Sequence, residues 1–119
     1  MTIENYLEKL QTTPNEMDFN ELMGLIETHY EFTETAFDNA NLHNNAGENS
    51  GSCKLFSFAK LQGLNEADTL ACFGNYYRDD VLQNPDGDDH QNIRNFINSG
   101  WSGISFDGVA LQKKKFLCF

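Results

Sequence analysis

The chain has 119 residues, with eighteen Asp and Glu against eight Lys and Arg, a formal net charge of −10. That length closes one hydrophobic core but not two, so residues 1–119 are read as a single domain. The acidic field repels nucleic-acid phosphate and anionic lipid, which excludes nucleic acid and membrane surfaces as expected partners. Ten of the carboxylates fall in residues 1–48 against one base, Lys9. No apolar run approaches the ~20 residues of a membrane span, and the N-terminus lacks the basic-then-apolar layout of a signal peptide. Cys53, Cys72 and Cys118 form no CxxC and no zinc spacing. A cytoplasmic protein without metal or cofactor is expected, the oligomeric state open and a monomer favoured.

In chain order, Thr2 is placed to cap a first helix on which Ile3, Tyr6, Leu7 and Leu10 share one stripe. Thr13, Pro14 and Glu16 have the spacing of a capping box, which predicts a second helix carrying Phe19, Leu22, Met23, Ile26 and Tyr30. From Glu31 to Ser52 the periodicity collapses into a long polar loop, with a short strand over 31–37 as its one regular element. Ser52 or Ser50 opens a third helix bearing Leu55, Phe58 and Ala59, stopped at Gly63. Asn65 opens a fourth, whose stripe of Ala67, Leu70, Ala71, Gly74, Tyr77 and Val81 runs until Pro85. Asp88 with Gln91 leads into a fifth through Ile93, Phe96 and Ile97, ended by Gly100.

After Trp101, Ile104 and Phe106 precede Asp107-Gly108, and Val109 and Leu111 follow. This pattern predicts a short hairpin, the alternative being a final helix from Val109 to Cys118. The fold class expected is therefore mainly α: a compact bundle of about five helices, a long polar loop, and a short β-hairpin or strand pair near the C-terminus.

Three segments carry a resemblance: Asn45-Ala46-Gly47-Glu48-Asn49-Ser50-Gly51-Ser52-Cys53-Lys54, then Thr69-Leu70-Ala71-Cys72-Phe73-Gly74 with Tyr76-Tyr77-Arg78, then Asp89-His90-Gln91-Asn92-Ile93-Arg94-Asn95-Phe96 with Gly100-Trp101. In order and spacing the chain resembles the HopJ family, named for a type III effector of plant-pathogenic bacteria, over roughly residues 20–112. The resemblance implies an effector-related role and secretion through a type III system. It brings no catalytic residue and no cofactor with it.

Cys53 is the residue best placed for chemistry, because a thiol at a helix start has its thiolate favoured by the macrodipole. Its candidate imidazole partners are His90 and His43, with Asp89 as an orienter. The run Asp86-Gly87-Asp88-Asp89-His90 lacks the alternation and distal Glu of a calcium loop, so no metal site is expected. Arg78 is expected to pair with a carboxylate of the acidic half, and Arg94 is the candidate anion ligand. Asparagines crowd residues 39–49, and Asn45, Asn49, Ser52, Cys53 and Arg94 make up the expected ligand-binding set. The function expected is that of a small acidic binding or interaction protein, taking a protein partner or a small polar ligand. A thiol-dependent enzyme or redox-responsive protein built on Cys53 is the alternative.

Overall fold

A computed structural model describes residues 1–114. Five α-helices and one π-helical segment are joined by five short strands: α1 (Ile3–Thr12), α2 (Phe19–His29), β1 (Tyr30–Phe32), β2 (Phe37–Asn39), β3 (Leu42–Asn44), α3 (Ser50–Gln62), α4 (Glu66–Ala71), the π-helical segment (Tyr76–Val81), α5 (Gln91–Ser99), β4 (Ile104–Phe106) and β5 (Leu111–Lys113). The architecture is mixed α and β, which corrects the expectation of a mainly helical bundle. The strands form two antiparallel sheets, one of β1 and β5, the other in the order β3-β2-β4.

The C-terminal hairpin is not formed. β4 pairs with β2 (Phe37 opposite Phe106), while β5 pairs with β1 (Phe32 opposite Leu111). Asp107-Gly108 therefore passes the chain between two sheets. The alternative helix fails too: Leu111–Lys113 is extended, Val109, Ala110 and Lys114 are not helical, and residues 115–118 lie outside the described residues. The hairpin that does form is β2–β3, inside the stretch read as loop, with Asn39 opposite Leu42 across the two residues Ala40 and Asn41. Ala40 turns the corner at φ +56°, a left-handed conformation that costs a non-glycine residue about 1–2 kcal/mol.

Local chemistry sets the helix ends. Thr2 accepts from the Asn5 amide at 3.0 Å and Asn65 from the Asp68 amide at 2.8 Å, both at the expected caps. The Thr13-Pro14 signal yields only a 3₁₀ turn over Pro14–Glu16; α2 instead starts after Asp18, whose Oδ1 accepts from Asn20 at 3.2 Å. The fourth helix is shorter than its stripe because Gly74, at φ +62°, breaks it. A Cβ there would stand 2.8 Å from the Met17 carbonyl oxygen, so the break and the close approach both require glycine.

α3 is the centre of the molecule. Leu55, Phe56, Ser57, Phe58 and Ala59 are consecutive and all buried, so the middle of this helix is covered on every side, by α2, α4 and β5 among others. The Phe56 ring lies 5.0 Å from Phe96, 5.5 Å from Phe73 and 6.1 Å from Phe37, between centroids. Trp101 covers this cluster edge-on to Phe96 and donates its indole N–H to the Leu64 carbonyl at 2.8 Å. Burying a phenylalanine of this kind stabilises the fold by about 2–3 kcal/mol, so the aromatic cluster carries much of the core.

Candidate functional site

The starts of α3 and α5 meet at one cleft. Its volume is about 530 Å³, and its walls include Phe19, Phe73 and Tyr76 on one side and Asn49, Ser52 and His90 at the two helix starts. Both helices begin in the same unusual way. Asn49 and His90 precede them in the left-handed conformation at φ +50°, and neither side chain caps the first turn. The first-turn N–H groups of each helix are therefore left without a side-chain acceptor, at the positive end of the helix.

Each side chain has other work. Asn49 Nδ2 donates to Asn44 Oδ1 at 2.6 Å, and Asn92 Nδ2, from the first turn of α5, donates to the same oxygen at 3.0 Å. Asn44 returns a bond from its Nδ2 to Asn92 Oδ1 at 3.2 Å, and Asn39 Nδ2 reaches that oxygen at 3.0 Å. Asn39, Asn44 and Asn92 are buried. Four amides thus tie the β2–β3 hairpin to both helix starts and fix their separation. Gly51 adds to this: a Cβ there would meet Phe19 Cζ at 2.8 Å, so the first turn of α3 sits directly on that ring.

The imidazole of His90 is held from the π-helical segment. Asp80 Oδ2 lies 3.0 Å from His90 Nε2, and the Tyr76 ring stands 5.3 Å from the imidazole, centroid to centroid. Tyr76 and Asp80 are four residues apart on that segment, one on the ring and one on its nitrogen. Segments of this rare geometry recur at functional sites.

The expected residues divide. Asn49, Ser52 and His90 line the cleft. Cys53 does not: it turns into the core, 1% exposed, with Sγ 3.6 Å from the Thr35 carbonyl oxygen. Burial pushes its thiol up, and the neighbouring Ser57, Thr35 and Lys54 oppose that shift without reversing it. This is opposite to the direction expected from its place near a helix start, because burial dominates here. His43 stands on the exposed face of β3, its Nδ1 2.6 Å from Asp38 Oδ1 on β2. The two histidines are thus each engaged with an aspartate, at different places, and Cys53 with neither.

Arg94 is consumed by the fold. Nε donates to the Asp89 carbonyl at 2.6 Å, Nη1 to the Asn84 carbonyl at 2.8 Å, and Nη2 to Asp89 Oδ1 at 2.6 Å. The guanidinium holds the Asp89 carboxyl below its usual range, and it staples the 84–89 loop rather than facing the cleft. Asn45 belongs to a turn, its amide N–H donating to Glu48 Oε1 at 3.1 Å. Arg78 does join the two halves of the chain, but through the Met17 carbonyl at 3.0 Å and Asn75 Oδ1 at 2.7 Å instead of a carboxylate. Among the described residues, no group of three or more His, Cys, Asp or Glu is placed to hold a metal ion. No helix there is long and apolar enough to cross a membrane.

The residues missed in the sequence are the aromatic walls Phe19 and Phe73 and the tethers Asn92 and Asp80. Phe19 and Phe73 were visible only as apolar positions. Nothing local marks Asp80 as the partner of a histidine ten residues on.

Fold and site together define a small α/β protein with a mixed aromatic and amide-lined cleft between two helix starts. The chain belongs to the HopJ family: the family described as "HopJ type III effector protein" matches residues 3–111, which includes α1 as well as the segments noted above. Among solved structures it is similar to a crystal structure of a protein of unknown function, VPA0580, at 48% identity and a TM-score of 0.94, covering 96% of this chain and 95% of that one. No curated protein matches.

Proposed function

We propose that this protein is a small binding protein, and that its ligand is a small polar molecule or partner side chain seated in the cleft between the starts of α3 and α5. The observation that carries this reading is the convergence of two uncapped helix starts, a clamped imidazole and three aromatic rings on one cleft of about 530 Å³. Clefts of this size, with apolar walls and a few placed polar groups, are the usual form of a small-ligand site. The rings offer a face or an aliphatic part a surface, while the first-turn amides offer donors to an acceptor oxygen. The amide network supports the same reading, since it holds the donors in place before any ligand arrives and so lowers the ordering cost of binding.

A thiol enzyme draws no support from this arrangement, because the sulfur lies in the core with its thiol pushed up. An effector role, with export through a type III system, rests on the family description alone. The binding reading is tested by a ¹⁵N–¹H shift screen with inorganic phosphate, acetate, and short peptides ending in a free carboxylate. At least one probe is expected to move the amides of Gly51, Ser52, Gln91 and Asn92 together along one saturation curve. A screen in which residues 49–52 and 90–93 respond to none of them refutes it.

A further inference from the structure

We propose that the ligand of the cleft is an uncharged planar aromatic ring carrying a carbonyl acceptor, an inference that rests on the binding reading above and names its ligand. The aromatic wall of the cleft is one continuous strip. Phe19 and Phe73 lie nearly parallel, 8° apart with centroids 6.1 Å from each other, and Tyr76 stands edge-on to Phe19 at 5.3 Å. His90 continues the strip, 5.3 Å from Tyr76. Phe73 is 2% exposed and forms the floor, whereas Tyr76 is 40% exposed, so part of its ring is open to a further ring.

Both ends of this strip stop at a helix start. At α3, a Cβ on Gly51 would stand 2.8 Å from Phe19 Cζ, so the glycine lets the ring lie directly against the first turn. At α5, His90 is itself the residue that precedes Gln91. The amides of Gly51, Ser52, Gln91 and Asn92 find no acceptor among the described residues, and all four residues line the cleft. Ring surface and free donors therefore lie within reach of one small molecule, which can pack its ring on the strip and place its oxygen on a first-turn amide.

Charge decides against an ion. Among the described residues, no Lys, Arg, Asp or Glu lines the cleft, and its one imidazole has Nε2 engaged by Asp80 at 3.0 Å. An anion there meets only neutral amides and the field of a chain of net charge −10, with no ion pair to offset its lost hydration. A cation faces the positive ends of two helices. An uncharged acceptor escapes both penalties. Its affinity then has to come from the ring, because a hydrogen bond exchanged with water contributes little net free energy.

The experiment titrates the full chain with benzamide and reads ¹⁵N–¹H shifts, with acetamide, cyclohexanecarboxamide and benzoate as comparisons. Benzamide is expected to move the amides of Gly51, Ser52, Gln91 and Asn92 on one saturation curve, about tenfold more tightly than acetamide, which has the same acceptor and no ring. Cyclohexanecarboxamide should bind about fivefold more weakly than benzamide, and benzoate no more tightly. Tyr76→Leu keeps an apolar side chain at an exposed position; it should weaken benzamide about fivefold, the scale of one ring–ring contact, and leave acetamide unchanged. Nuclear Overhauser contacts from bound benzamide to the Phe19 and Tyr76 rings are expected in the unsubstituted protein, which keeps the test open if the variant is poorly behaved. Three results overturn the inference and leave the cleft a binding site: equal affinity for benzamide and cyclohexanecarboxamide, benzoate binding tenfold tighter than benzamide, or no saturable shift with benzamide where acetate or phosphate gives one. Silence of residues 49–52 and 90–93 toward every probe removes the binding reading and this inference with it.

Discussion

Replacing Asn44 by Ala probes the amide network at its centre. Asn44 is 1% exposed; it accepts from Asn49 and Asn92 and donates to Asn92 Oδ1 and the Phe37 carbonyl. Truncation removes four hydrogen bonds, each contributing about 0.5–1.5 kcal/mol net. The Phe37 bond at 3.3 Å is long and Asn49 is exposed, so those two fall at the low end. Asn92 Nδ2 is left buried without its acceptor, a group whose desolvation costs about 1–3 kcal/mol when unpaired. Since the lost bonds and the orphaned donor partly describe the same event, about 3 kcal/mol is the expected total. In urea, with a slope of about 1.5 kcal/mol/M, that lowers the unfolding midpoint by about 2 M. Asn49→Ala is the comparison: it removes one part-buried bond and leaves an alanine at φ +50°, a loss of about 1–2 kcal/mol. Asn49→Gly relieves the backbone strain and should lose less than that. An Asn44→Ala loss below about 1 kcal/mol, or one equal to Asn49→Ala, would refute the view that buried amides hold the two helix starts together.

Gly74→Ala places a Cβ 2.8 Å from a main-chain oxygen at φ +62°; it is expected to cost about 2–4 kcal/mol by urea unfolding, from backbone strain and overpacking together. Cys53 should react with iodoacetamide more slowly than a cysteine in a short peptide at pH 8, followed by peptide mass spectrometry, and become reactive only in denaturant; fast native labelling would contradict its burial and raised thiol. The Asp38 hydrogen bond raises the His43 imidazole above its ordinary value, so any stability from this pair is fully present below pH 6.5 and is lost as pH rises through the folded-state value. An NMR titration should therefore show the His43 midpoint falling in Asp38→Asn, and an unchanged midpoint would remove Asp38 as the cause.

Helix ends were legible where a side chain or a glycine caps in the ordinary way, and not at α3 and α5, which Asn49 and His90 precede in place of the expected Ser50 or Ser52 and Asp88. Thr2, Asn65, Gly63 and Gly100 act where the sequence places them. Thr13 misled because Pro14 and Glu16 suit a 3₁₀ turn as well as a helix, and Asp18 offered a second cap. The pairing of the strands was illegible for a different reason. Each is three residues long, too short for alternation to register, and the partners of β4 and β5 lie some seventy to eighty residues away along the chain. The β2–β3 turn has Ala40 where a sequence signal would need glycine or asparagine. The candidate site follows the same division. Ser52 was visible as a helix-start residue, Asn49 as one of the crowded asparagines and His90 only as a candidate partner of Cys53, while the inward turn of Cys53 and the capture of Arg94 by the 84–89 loop are set by packing from elsewhere.

The two ends of α3 line different cavities, and that sharing sets how they should behave together. Ser52 belongs to the cleft and Lys60 to a groove bounded by Phe106 and Leu111; eight residues of helix separate them by about 12 Å. Between them runs Leu55 to Ala59, buried without interruption, so the helix has no hinge at which one end can move without the other. A ligand at one end changes affinity at the other only if it binds better to a second arrangement of the whole core, and close packing makes such arrangements costly. Independence is the consequence. Loosening the cleft by Asn44→Ala should therefore leave the ¹⁵N–¹H shifts of Lys60 and Leu61 unchanged while those of Gly51 and Ser52 move. Shifts along the whole of α3 would mean that it moves as a unit, and that the amide network sets its position along its full length.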